Sequence, residues 1–365
     1  MPLPSQISTN FPGPYNVFIP AFDGKATANL IVSYARDPKK FAVNKLAQRW
    51  PVNYLSGYWL TLRPEVLARV LTDPNETIWA DGAPSPTGSF NQQDFRATQY
   101  MCVRRARPAY VGWQTREQAA YPVQETQLQV LGHQMMTTRA YAFYTLAMNA
   151  AAYLPSHVGT ATYWSGLNTS LGLGGFFSQG TSTNPIIQRA LLNIGNQIMM
   201  DTMAAVSYTD LTLVITPPAA IGMATSAEIH DYVARSPFAL AQVKGDVPSQ
   251  NGSWGLPDKL YGLDLVIDPT LLTTSGRLVV PGTTTYIEGS NQGLVLCPPG
   301  AMGSNVGQVT SAFSSFHFFF YRGEEMVTET LDEPVNKRTL LRVSETWGLN
   351  MVSPESCALI QNMFF

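Results

Sequence analysis

The sequence predicts an α+β protein, and three observations carry that reading. After Pro122, residues recur at steps of three and four over about 30 positions, the mark of one long helix. From residue 209 onward, short apolar runs stop at prolines in the manner of strands. The last 50 or so residues read as long strands turned at Asp332–Asn336.

Taken in order, residues 1–58 are rich in Pro, Asn and aromatic side chains and show no sustained period, apart from a short helical patch over Lys39–Trp50. Such a segment cannot build a core alone, so it is expected to lie along another surface as an arm. Residues 60–72, with Leu60, Leu62, Val66, Leu67, Val70 and Leu71, fit a short helix ending at Asp73-Pro74. Thr77–Ala80 and Ala97–Val103 have strand composition, with a polar, Gly- and Pro-rich stretch between them. They predict a long hairpin, and a two-stranded ribbon is only marginally stable unless it rests on something. Its second strand runs into Arg104-Arg105-Ala106-Arg107. Those arginines fit a nucleic-acid patch less well than pairing with acidic residues of a neighbour, or simple solvation.

The long helix begins near Pro122, where a missing N–H costs little, and stops at Pro155. Its expected face is Leu128, Leu131, Met135, Thr138, Ala142, Leu146, Asn149 and Tyr153. At 1.5 Å per residue it would span roughly 45 Å. Residues 157–183 are Gly- and Ser-rich and predict a loop. A second helix, capped by Asn184 with Pro185 in its first turn, is expected to reach about Val206. The Met135/Met136 and Met199/Met200 pairs read as packing on these helices. Strands follow at Leu211–Thr216, Leu263–Ile267, Thr285–Glu288 and Gly293–Cys297, with one or two short helices between Ala219 and Ala234.

Composition narrows the function. Charged residues make up only 13% of the 365, about half the usual share of roughly 25%. A surface that poor in charge predicts large subunit contacts, since interface cores are depleted in charge. A net charge of -2 argues against holding DNA by neutralising phosphates. No apolar run approaches the roughly 18 residues of a membrane span. Met1–Gln6 show neither a basic nor an apolar signal region, so no secretory signal is expected. Cys102, Cys297 and Cys357 are odd in number and far apart, and predict reduced thiols.

The search for chemistry returns little. His133, His157, His230 and His317 stand without partners at metal-ligand spacing. The only Gly-Lys pair, Gly24-Lys25, lacks the phosphate-loop context, and Gly172, Gly174 and Gly175 fail the dinucleotide pattern at Phe177. Gly289–Gly293 places its Ser wrongly for a nucleophile elbow. Glu324-Glu325 and Asp332-Glu333 read as a solvated strand end and turn. No catalytic residue, metal site or cofactor is expected.

The order of parts resembles the major capsid proteins of tailed bacteriophages, the Hong Kong 97-type fold. An arm, an extended hairpin, a long spine helix and then alternating strands and helices are that family's sequence of elements. Local phrases are similar too: Trp79–Gly88, Tyr100–Arg105 leading through Gly112-Trp113, and Ser226–Val233 followed by Ser236–Leu240 and Leu260–Leu263. The resemblance covers about 60–365. It implies an N-terminal arm at 1–58 and the extended hairpin region (the family's E-loop) at 59–118. It further implies spine and peripheral parts at 119–206, an axial domain at 207–310 and peripheral strands at 311–365. It implies a shell subunit that assembles with itself as pentamers and hexamers around double-stranded DNA, held by weak non-specific contact. Separate scaffold, portal and decoration proteins are the other partners it allows, with no membrane and no cofactor. Such a chain is made in the host cytoplasm and ends in the virion capsid.

The residues expected at the subunit interface are Trp79, Asp81, Phe95, Arg96, Arg104, Arg105 and Arg107. Residues 60–118 contain no Lys, so the hairpin-lysine cross-link of some family members is not expected. The alternatives are an encapsulin-like compartment shell, which shares the fold, and a soluble oligomeric enzyme.

Overall fold

The computed structural model describes residues 41–64, 95–119, 122–167, 175–273, 284–289, 291–300 and 314–364. The chain enters with a single helical turn, α1 (Val43–Leu46), then β1 (Gln48–Val52) and β2 (Ser56–Leu62). After the gap come β3 (Phe95–Met101), β4 (Val103–Gly112), a short α2 (Trp113–Gln118) and the spine helix α3 (Val123–Ala147). β5 (Val158–Thr160) and α4 (Ala161–Gly166) lead to α5 (Ile186–Asp201). Next are β6 (Thr212–Ile215), three short helices α6 (Pro217–Ala224), α7 (Ala227–Arg235) and α8 (Pro237–Lys244), then β7 (Lys259–Leu260) and β8 (Leu263–Ile267). The remaining strands are β9 (Leu271–Thr273), β10 (Thr284–Tyr286), β11 (Gln292–Leu296), β12 (Phe316–Tyr321), β13 (Val327–Glu333), β14 (Arg338–Met351) and β15 (Cys357–Gln361).

Two sheets organise these parts. In the first, the 14-residue β14 is shared: β4 pairs with Arg338–Trp347, while β13 and β12 pair in succession with the stretches Arg338–Ser344 and Trp347–Met351. β1 then runs parallel to β12. The second sheet has the order β5-β15-β11-β6-β8-β7. Its central strands are buried on both faces, which is why they read as unbroken apolar runs. Leu213, Ile215, Val295 and Ile360 face α5 and the short helices. Val214, Leu294, Leu296 and Leu359 face the other way, onto Phe143, Tyr144 and Ala147 of the spine helix and the phenylalanines of β12. The N-terminal half of α3 packs Leu131 and Met135 on Val111, Leu341 and Val343 of the first sheet. The helix thus ties both sheets into one body.

Several expectations change. The patch over Lys39–Trp50 is helical only at Val43–Leu46 and becomes a strand at Gln48. Phe41, Val43, Leu46 and Ala47 are buried, so the end of the expected arm belongs to this chain's own core. Leu60, assigned to a helix, lies in β2 instead; residues 65–72 and the expected strand Thr77–Ala80 fall outside the described residues. The spine helix has 25 residues, followed by two turns of 3-10 helix that end at His157. Residues 157–183 are not a plain loop, since β5 and α4 form there on Thr160, whose side chain caps Tyr163. The cap of α5 comes from a distance: the Ile187 and Gln188 N–H groups donate to Glu228, both at 2.8 Å, while Asn184 accepts from Arg189. Met135 and Met136 are core, but Met200 is exposed. The last strand, β15, belongs to the second sheet.

Candidate subunit interface

β2 and β3 form an antiparallel ribbon in which Ser56 pairs with Met101 and Thr61 with Arg96. Alternation along a strand gives this ribbon two different faces. The inner face carries Trp59 and Tyr100. Tyr100 stacks on Phe319 at 4.7 Å, and Trp59 meets Trp50 edge-on at 4.9 Å. Cys102 marks the bend between β3 and β4, donating its N–H to Leu55 and its thiol to the Phe319 carbonyl. Gly348 opposes the bend; a Cβ there would collide with the Met101 carbonyl.

The outer face carries Tyr58 (70% exposed), Leu60 (61%) and Met101 (68%), with Tyr54 and Leu55 beside it. An uncharged face this rich in exposed apolar side chains, with Ser56 and Gln99 its polar members, suits a surface built to be covered. The sequence reading missed it because residues 60–72 were assigned to a helix. The signal was the β-type run Tyr58-Trp59-Leu60-Thr61.

Of the residues expected at the interface, Trp79 and Asp81 lie outside the described residues. Phe95 is half-buried at the far end of the ribbon's outer face. Arg96 points inward and pairs with Glu355, a nearly buried carboxylate, at 2.5 Å. Arg104 reaches Glu329 at 3.6 Å on the open sheet face, where Glu329 also holds Arg342. Arg105 lies 3.7 Å above the Trp347 ring and donates to the Trp347 carbonyl. The carboxylates sought on neighbouring subunits for Arg96 and Arg104 are therefore supplied by this chain. Arg107 is exposed, with no ion pair among the described residues.

Behind Trp347 sits a buried ionic knot that the sequence did not reveal. Arg139 of the spine helix is 1% exposed and bonds Glu345 at 2.5 Å and Glu325 at 2.7 Å. Glu345 also accepts from the Trp347 indole, and Arg139 lies over the Phe320 ring. Glu325, read as solvated, thus helps neutralise a buried guanidinium and also meets Arg49 of β1.

The chemistry elsewhere is structural. A surface cavity of about 380 Å³ is lined by Glu228, Tyr232, Arg235 and Tyr261. Its buried carboxylate is already consumed by the cap of α5 and by the Tyr261 hydroxyl at 2.9 Å. Burial, reinforced by Glu228, pushes the Tyr261 phenol far up. His157 is buried between the Cys357 carbonyl and Asp201. Among the described residues, no three His, Cys, Asp or Glu side chains group to hold a metal, and no helix is long and apolar enough to cross a membrane.

Comparison with solved structures places the fold. A phage-related protein from Bordetella bronchiseptica superposes with a TM-score of 0.56 at 14% identity, covering 93% of this chain and 96% of its own. The capsid of the cyanophage P-SCSP1u gives 0.56 at 13% identity, with 94% and 93% covered. The capsid of Ralstonia phage GP4 gives 0.52 at 12% identity, with 91% and 92% covered. No protein-family model and no curated protein sequence matches the chain. The likeness is one of fold: the chain has the Hong Kong 97-type capsid architecture.

Proposed function

We propose that the chain is a major capsid protein, a structural subunit with no catalytic role that assembles with itself into an icosahedral shell around the double-stranded DNA of a tailed phage. The observation that carries this reading is the whole-length match of fold to phage capsid structures, more than nine-tenths of both chains in each case. Two independent features agree with it. Charge is scarce over the whole chain, and the β2–β3 ribbon turns an uncharged apolar face to water.

In this reading the outer ribbon face lies against a neighbouring subunit, with Phe95, Trp79 and Asp81 among the contact residues. Arg96 and Arg105 hold the ribbon and the start of β4 at the required angle, and Arg104 and Arg107 lie at the rim. Residues 207–310 would gather about the five-fold and six-fold axes, and the spine helix with the first sheet would form the periphery. Enclosed DNA is held by weak non-specific contact, and any scaffold, portal or decoration protein is a separate chain.

Negative-stain electron microscopy of the purified protein tests the proposal directly. Closed shells or rings of five and six support it. A 40 kDa species at every concentration in analytical ultracentrifugation refutes it.

A further inference from the structure

Glu288 follows β10 and is 3% exposed, yet neither carboxylate oxygen has a hydrogen-bond partner among the described residues. Buried polar groups are almost always satisfied, so this exception calls for a cause. Its neighbour Ile287 is partly buried against the core that holds the spine helix and donates its N–H to the Thr270 carbonyl. The charge acting on Glu288 is Asp268, at the end of β8, itself 2% exposed.

Asp268 is fully provided for. Oδ1 accepts from the Thr270 N–H at 3.0 Å and from its hydroxyl at 2.5 Å, and Oδ2 accepts from the Tyr144 hydroxyl at 2.7 Å. Glu288 has no such donors. The charge that acts on it is that of Asp268, just past β8, which Tyr144 of α3 already serves as donor, and β9 (Leu271–Thr273) carries no titratable side chain. Among the described residues, no Lys, Arg or His forms an ion pair with it.

We propose that Glu288 is a proton-operated latch: neutral, it seats the β9–β10 ribbon against the end of β8 and the spine helix, and ionised, it leaves for water and loosens that ribbon. A carboxyl group in a dry site beside a second carboxyl, with no donor of its own, is held in its neutral form. Burial first, and then the charge of Asp268, push the Glu288 carboxyl well above the usual carboxylate range.

The direction of the pH effect follows. In the opened ribbon Glu288 meets water and loses its proton in the ordinary carboxylate range, about pH 4.3. In the closed ribbon it keeps that proton. Above the ordinary range each pH unit therefore makes opening about tenfold easier, until the raised value is passed. The latch is tightest in acid and weakest in alkali.

Hydrogen exchange on the full-length protein tests this. For the amides of 271–273 and 284–288, protection corrected for base catalysis should fall as pH rises above the ordinary carboxylate range, by up to about tenfold per pH unit. Glu288→Gln, and Glu288→Met as a second neutral variant, should abolish that slope. The wild-type infrared spectrum at pH 7 should show a protonated-carboxyl band that Glu288→Gln removes. A slope unchanged in the neutral variants, no slope in the wild type, or no such band would overturn the proposal.

Discussion

Arg96 and Arg104 stand eight positions apart and bear the same charge, but their surroundings give them different weights. Glu355, the partner of Arg96, is 8% exposed on its side chain. Removing the guanidinium strands a carboxylate that has little water to turn to. Arg96→Ala should therefore lower unfolding stability by about 1–3 kcal/mol. Arg104 is 63% exposed and pairs loosely with a carboxylate that has another cation. Arg104→Ala should cost about 0.5 kcal/mol or less. Arg105 falls between, since its stack on Trp347 contributes about 1 kcal/mol. Urea melts of the three variants check the order. Among the thiols, burial pushes Cys297 up to about 12, with Asp210 adding to it, and raises Cys102 and Cys357 as well. Because the thiolate is the reactive form, mass spectrometry after alkylation at pH 8 should show none of the three modified in the folded chain. All three should be modified after denaturation.

Among the elements, the spine helix shows how far the sequence could be read. Pro122 marked its start to within one residue, whereas Pro155 lies two turns past its end at Ala147, and Leu131 and Met135 were assigned correctly to its buried face. Beyond Met135 the expected face ran through Thr138, Ala142 and Leu146, whereas the buried residues are Arg139, Ala140, Phe143 and Ala147. The cause is Arg139. A charged side chain normally marks the solvent side, so the pattern was drawn around it, but Glu345 and Glu325 neutralise it inside. Those partners lie about 200 residues away, and no periodicity reports a contact of that range. The same limit hid the Glu228 cap of α5 and the pairing of β2 with β3. In the second sheet β6, β8 and β11 were legible as apolar runs closed by Pro, whereas β5, β7 and β15 were not. Breaking the knot should be costly: Arg139→Ala leaves Glu345 buried without its cation and should lose about 3–5 kcal/mol. Arg139→Met combined with Glu345→Leu should recover most of that loss. Thermal melts of the single and double variants decide it.

At the scale of the whole molecule, scarce charge and an apolar ribbon face predict association driven by burial of surface, with little help from ionic attraction. Raising salt from 0.1 to 1 M shortens the Debye length from about 10 to about 3 Å and should leave assemblies intact by light scattering. Shells that dissolve over that range would show that ion pairs hold the subunits. With no Lys in residues 60–118 and all three cysteines buried and free, boiling in detergent under reducing conditions should yield one 40 kDa band.

The parallel pairing of β1 with β12 joins residues 48–52 to residues 317–321. β1 therefore emerges from the ribosome long before its partner strand has been translated. Until then it is an unpaired edge, and the β2–β3 ribbon above it lacks Phe319, the ring on which Tyr100 rests. Such long-range pairing is slow to form and leaves partly folded chains prone to sticking. It also acts as a timer. The ribbon, the surface proposed to grip a neighbour, cannot take its seat on a nascent chain. A chain that stops short of β12 cannot seat the ribbon, so in the proposed assembly topology would exclude it.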